Sequence, residues 1–248
     1  METASLLAFL GLVALGSYVQ TVSGFAIALI VTGGATVLGL APLAFTANVV
    51  SFVALANIVT AVHRQHSHIH RAILGYGTAG VLLFTGVGLW ALNHLSGSAS
   101  GTLEMLLGVV ILGSGVAFMI HPHVLKKPSG HLAHFVAGGL GGILSGLYGA
   151  GGPPIMVHLY RQPLPFAAMR VTLLAILGTI PFIRLSMEAV AGHLDREILQ
   201  LSLYSAPVSI LVTLFARRFP PPVSETNMRR FAFALLCVIG ITLIIGRS

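Results

Sequence analysis

The sequence predicts an all-α polytopic membrane protein of about 8 to 10 transmembrane segments arranged as two inverted repeats. Three observations carry that expectation. Charged residues are missing over stretches long enough to cross a bilayer. The short loops between those stretches alternate in charge. Two glycine-rich interruptions recur 125 positions apart, with Gly24 and Gly149 in register.

Residues 3–63 carry no Asp, Glu, Lys or Arg, and neither do residues 72–103. A spanning helix needs about 20 apolar residues, so the first stretch alone holds three passes. Only 8% of the 248 residues are charged, against about a quarter in a soluble domain. The chain is therefore expected to be integral to the membrane from end to end, with no soluble domain. Glu2 and the lack of a basic residue before the first apolar run argue against a cleaved signal peptide. The single cysteine, Cys237, excludes an internal disulfide and reads as a small packing residue. The net charge of +7 does not point to nucleic acid, because the basic residues sit mostly in short loops, where charge orients a membrane protein.

Apolar runs and their breaks define the elements in order: 4–22, 24–40, 42–62, 72–93, 102–120, 132–146, 150–160, 165–190, 198–216 and 229–246. Loops fall at His63–Arg71, His94–Gly101, His121–His131, Arg161–Pro165, Gly192–Glu197 and Arg217–Arg230. The last contains Pro220-Pro221-Pro222, which no helix interior tolerates. Arg64 with Arg71, Lys126 with Lys127, and Arg217 with Arg218 mark cytoplasmic loops, whereas the uncharged 94–101 and the net acidic 192–197 face out. Both flanks of 132–160 are basic, so that segment crosses an even number of times, as two short passes or a re-entrant hairpin. The same count applied to 4–40 puts both termini outside. Each half then makes an odd number of crossings, and the repeats are 1–123 and 124–248, facing opposite ways. Leu15, Gly16, Gly24, Ile30, His68, Arg71, Ile73 and Leu74 match Leu140, Gly141, Gly149, Ile155, His193, Arg196, Ile198 and Leu199 at the same offset.

The interruptions themselves carry the chemistry. Glycine lets a spanning helix break, and a break at membrane depth frees backbone groups that must line a cavity or be buried in protein. A half-helix that starts there offers free N–H groups and partial positive charge to an anion. Gly149, Gly151 and Gly152 followed by Pro153 suit such a start, since proline's missing donor costs nothing in the first turn. The bland alternative is tight helix packing by small residues. The polar residues that accompany the breaks, Gln20, Ser23, Ser145 and Tyr148, favour a substrate site. Further polar groups fall inside spans. Asn48 and Asn57 serve either as ligands or as interhelical hydrogen bonds. Arg184 is either a substrate counter-charge or half of a helix pair with Glu188, four residues on. Arg170 reads as an interfacial anchor. No acidic residue lies mid-span, which leaves any coupling ion open.

The stretch Ser145-Gly146-Leu147-Tyr148-Gly149-Ala150-Gly151-Gly152-Pro153-Pro154 resembles the G-x-x-G-x-GG-P signature of the TauE/SafE transporters, a sulfite-exporter-like permease family. Gln20-Thr21-Val22-Ser23-Gly24-Phe25-Ala26-Ile27-Ala28-Leu29 is similar to that family's N-terminal Q-G-x-x-G-F-G-x-A-L, with Thr21 and Ala26 standing where members often have glycine. The resemblance covers essentially the whole chain. It implies movement of small anions such as sulfite, sulfonates or related organosulfur acids across the inner membrane.

The resulting expectation is a secondary transporter, an exporter rather than an enzyme, without a cofactor. Its partners are a small anionic substrate and the lipid bilayer, with a homodimer left open and nucleic acid excluded. The substrate residues are Gln20, Ser23, Gly24, Asn48, Ser145, Tyr148, Gly149, Gly151, Gly152, Pro153 and Arg184. Two other classes are weighed against it. A metal-ion carrier would use His63, His66, His68 and His70, but these lack acid or thiol partners and sit in a basic loop. An intramembrane serine hydrolase would use Ser145 with His158 or His193, and would not need two matched glycine motifs.

Overall fold

Each apolar run becomes a helix, because a chain in lipid must satisfy its backbone polar groups within the segment. The computed structural model describes residues 3–23, 26–62, 69–98, 100–119, 124–219 and 225–245. These form α1 (Thr3–Ser23), α2 (Ile27–Val37), α3 (Leu43–Val62), α4 (Arg71–Ser98), α5 (Ser100–Met119), α6 (His131–Tyr148), α7 (Gly152–Tyr160), α8 (Phe166–Val190), α9 (Arg196–Arg218) and α10 (Glu225–Ile245). No strand occurs among the described residues.

Among the described residues, five stretches are long and apolar enough to cross a membrane: Thr3–Val22, Leu43–Thr60, Arg71–Leu95, Val171–Val190 and Arg196–Arg218. Among the rest, α2 and α7 stand apart. At about 1.5 Å per residue, their 11 and 9 residues reach only about half of a hydrocarbon core roughly 30 Å thick. Both are half-helices that follow an interruption.

Polarity is distributed as lipid demands. Large apolar side chains such as Leu83, Trp90 and Leu203 point outward, while Ser17, Asn57, Arg184, Ser209 and Thr213 are buried. An outer surface this apolar would make a soluble protein aggregate; here it meets acyl chains.

Glycines set the closest approach in the bundle. A Cβ on Gly138 would collide with the Gly77 carbonyl, one on Gly80 with the Phe135 carbonyl, and one on Gly142 would lie 2.7 Å from the Val81 carbonyl. From Gly77 beside Gly138 to Thr85 beside Gly146 the partners rise along both helices, so α4 and α6 run parallel, with backbones in contact. The part of the second motif inside α6 is thus a packing seam. Ser17 with Ser209 and Thr21 with Thr213 likewise show α1 parallel to α9. Asn48 with Arg184 and Ile58 beside Gly178 show α3 antiparallel to α8. Gly108 beside Ile244 and Leu112 beside Gly240 show the same for α5 and α10.

A candidate site between two helix breaks

The break between α1 and α2 turns on Ala26, whose φ of 100° lies in the left-handed region that side chains avoid. Gln20 stabilises the turn from the side. Its Oε1 accepts the Ile27 N–H at 3.2 Å, a donor of the α2 first turn, and its Nε2 donates to Asn57 Oδ1 at 2.8 Å. Asn57 Nδ2 in turn donates to Thr213 Oγ1 at 2.7 Å. The α1 break is thereby wired to α3 and α9.

The break between α6 and α7 turns on Gly149, with φ of 69°. Its N–H donates to the Ser145 carbonyl at 2.8 Å, and α7 then opens with Gly152, Pro153 and Pro154. Fully buried Arg184 reaches the carbonyls at the end of α6. It donates to the Ser145 carbonyl at 3.0 Å, to the Gly146 carbonyl, and to Asn48 Oδ1 at 2.9 Å. Glu188 Oε1 lies 3.5 Å from the guanidinium, and Glu188 Oε2 lies 2.9 Å from Nδ1 of half-exposed His193. A cation at a helix C-terminus is well placed against the dipole.

These two constructions bring the short helices start to start. A cavity of about 40 Å³ lies between them, lined by Gln20 and residues 26–29 on one side and by residues 150–153 on the other. Ala54 and Ile58 of α3 and Leu177 and Ile180 of α8 close it. That volume exceeds the roughly 10–15 Å³ that one water needs. It holds a larger oxyanion only if its walls move.

Eight of the eleven candidate residues therefore fall into two groups. Gln20, Gly151, Gly152 and Pro153 line the cavity. Asn48, Ser145, Gly149 and Arg184 form a polar clasp behind it, where a Cβ on Gly149 would stand 3.1 Å from the Ala47 carbonyl. Tyr148 is buried elsewhere, its hydroxyl donating to the Leu103 carbonyl at 3.0 Å and its carbonyl accepting from Thr32 Oγ1 at 3.2 Å. Ser23 ends α1. Gly24, the loop residues His63, His66 and His68, the Arg170 side chain and the run Pro220-Pro221-Pro222 lie outside the described residues. In the hydrolase constellation, the Ser145 hydroxyl has no hydrogen-bond partner among the described residues, while His158 faces His134 and His193 faces Glu188.

Sequence reasoning missed two polar features. Ser205, Ser209 and Thr213 form a buried stripe on α9, legible as small polar residues at helical spacing in an apolar run. The other is a ring pair, His134 Nδ1 and His158 Nε2 at 2.7 Å, which no sequence spacing announces.

The family model "Sulfite exporter TauE/SafE" matches residues 7–243, nearly the whole chain. The chain belongs to the TauE/SafE family. Its members are transporters, and this chain is a multi-pass membrane transporter, not an enzyme. A protein of Cupriavidus necator named "Probable sulfite/organosulfonate exporter TauE" is 40% identical over 248 residues, covering 99% of this chain and 97% of the relative. "Probable inner membrane transporter protein TsaS" of Comamonas testosteroni is 26% identical over 162 residues, 63% of this chain and 65% of that one. No solved structure matches.

Proposed function

We propose that this TauE/SafE transporter exports sulfite, small sulfonates or related organosulfur anions across the inner membrane, binding them between the starts of α2 and α7. One observation carries the reading: both half-helix starts line the same cavity. Donors aimed inward from opposed helix N-termini suit a compact oxyanion, and the backbone supplies them without a buried cation. The name of the Cupriavidus necator relative supplies the substrate class, and that of the Comamonas testosteroni relative the inner membrane. Outward movement of an anion is favoured by an inside-negative potential, about 2.3 kcal/mol per charge per 100 mV.

The two repeats, 1–123 and 124–248, are part of this proposal. Its support is the exchange of partners: α1 packs along α9 as α6 packs along α4, while α3 meets α8 and α5 meets α10 antiparallel. A rocking of one repeat against the other would then expose the cavity to alternate sides.

The test is flux of labelled sulfite and methanesulfonate in proteoliposomes, normalised to inserted protein. Wild type should exceed protein-free liposomes, and Gly152→Leu should abolish the difference while inserting normally, because the side chain fills the helix start. Equal flux in wild type and Gly152→Leu would move the substrate site elsewhere.

A further inference from the structure

A second space opens beside α7. A groove of about 500 Å³ runs between α5, α6 and α7, with Ser114, Leu140, Leu144, Pro153, His158 and Arg161 on its walls. It follows α7 from Arg161 to Pro153, about 12 Å at helical rise. Pro153 also lines the central cavity, so at the α7 start it stands between the two spaces. The corresponding flank of α2 is packed. There, a Cβ on Gly33 would stand 2.6 Å from both Ile111 Cδ1 and Ile239 Cγ2.

The groove carries charge where it opens. Arg161 is exposed and makes no ion pair among the described residues. The loop bearing Lys126 and Lys127 is pinned beside it by the Leu125 N–H on the Arg161 carbonyl at 2.8 Å. By loop charge this is the cytoplasmic end. One turn further in stands His158, half-buried, its Nε2 2.7 Å from Nδ1 of buried His134. Two neutral imidazoles at that distance share one proton, one donating and one accepting, so the pair becomes cationic by taking one more. The other titratable or charged groups facing it are His70 at the start of α4, His131 on α6 and Arg161 itself. Among the described residues no carboxylate pairs with it, which leaves an anion as its natural counter-charge.

We propose that the groove is the cytoplasmic entrance and a second anion-binding station, where Arg161 receives the anion and the His134–His158 pair holds it after taking one proton. This rests on the anion-transport reading and adds a proton linkage to it. Protonation adds positive charge, so anion affinity rises as the cytoplasmic pH falls.

Equilibrium binding of labelled methanesulfonate to the full chain in nanodiscs tests it. That probe stays a monoanion between about pH 6 and about pH 8, so any slope belongs to the protein. Wild type should bind up to about tenfold tighter at the lower pH. His134→Gln and His158→Gln should each flatten the slope at the weak end, and His158→Lys, with a fixed charge, should flatten it at the tight end. Arg161→Gln should weaken binding at every pH and keep the slope. A wild-type slope that survives in both glutamine variants, or is absent although the protein transports methanesulfonate, overturns the station alone. If wild type neither binds nor transports methanesulfonate or sulfite, the anion-transport reading falls, and this inference with it.

Discussion

The two helix breaks meet the same physical demand by opposite means. Interrupting a helix inside a membrane frees carbonyls on one side and amides on the other. At the first break the repair is neutral: Gln20 takes the Ile27 amide, is itself held by Asn57, and the turn strains a non-glycine residue, Ala26. At the second the repair is ionic: Arg184 takes the carbonyls of Ser145 and Gly146, and Gly149 turns without penalty. No arginine stands at the matching place in the first half, where the offset of 125 lands on Val59. The donors that remain differ as well. Ala28 and Leu29 keep first-turn amides at the cavity, whereas Pro153 and Pro154 have none, leaving Gly151 and Gly152. A shared architecture does not require shared side-chain chemistry. It requires only that every freed backbone group finds a partner.

Removing the ionic repair should have the largest effect. Arg184→Met takes the guanidinium from Glu188 Oε1, Asn48 Oδ1 and the Gly146 carbonyl, while Glu188 Oε2 keeps His193 and the Ser145 carbonyl keeps the Gly149 N–H. The loss should be about 3–5 kcal/mol, the scale for breaking a buried pair. The double variant Arg184→Met/Glu188→Met should recover part of it, because no charge is then stranded. Thermal unfolding in detergent measures both. A double variant no more stable than the single one would show that the clasp on Ser145 and Gly146, rather than the ion pair, carries the energy.

Much of this comparison was legible before any coordinates. The ten apolar runs coincide with the ten helices of the described residues to within a few positions, because hydropathy is a one-dimensional signal and lipid forces each run into a helix. The breaks were legible through their glycines, and the Arg184–Glu188 pair through its spacing of four. Which glycines do what was not. Gly138 and Gly142 sit in the same motif as Gly151, yet they face α4 while Gly151 faces the cavity. Facing depends on which helix lies alongside, and that is decided by contacts far apart in sequence. The same holds for Arg184, whose carbonyl partners lie 38 and 39 positions away, and for His134 and His158, 24 apart. Substituting Gly→Ala along the motif would sharpen the division, since the variant at 138, whose Cβ would strike the Gly77 carbonyl, should lower thermal stability most.

The neutral repair should cost less when removed. Gln20→Leu strips the Ile27 amide of its cap and leaves Asn57 Oδ1 without the Gln20 donor. The scale is about 1–3 kcal/mol for stranding a buried polar group. Thermal unfolding should drop by less than in Arg184→Met. Because Gln20 also lines the cavity, flux should fall further than stability explains. If Gln20→Leu is the more damaging of the two, the first break is the weaker construction and the ranking above is inverted.

The smallest effects, and the only gain, should come from exchanging the turn residues themselves. A left-handed residue with a side chain costs about 1–2 kcal/mol relative to one without, from the clash of Cβ with the following carbonyl. Ala26 bears that cost at the first break, at the place where the family pattern often has glycine, and Gly149 avoids it at the second. Ala26→Gly should therefore stabilise the chain, by about 1 kcal/mol after allowing for glycine's greater freedom when unfolded. Gly149→Ala should destabilise it by at least as much, since its Cβ would also press on the Ala47 carbonyl at 3.1 Å. Paired unfolding curves for the two variants give opposite signs on this account. A loss on Ala26→Gly would mean the alanine methyl contributes packing at the cavity wall that outweighs its strained backbone.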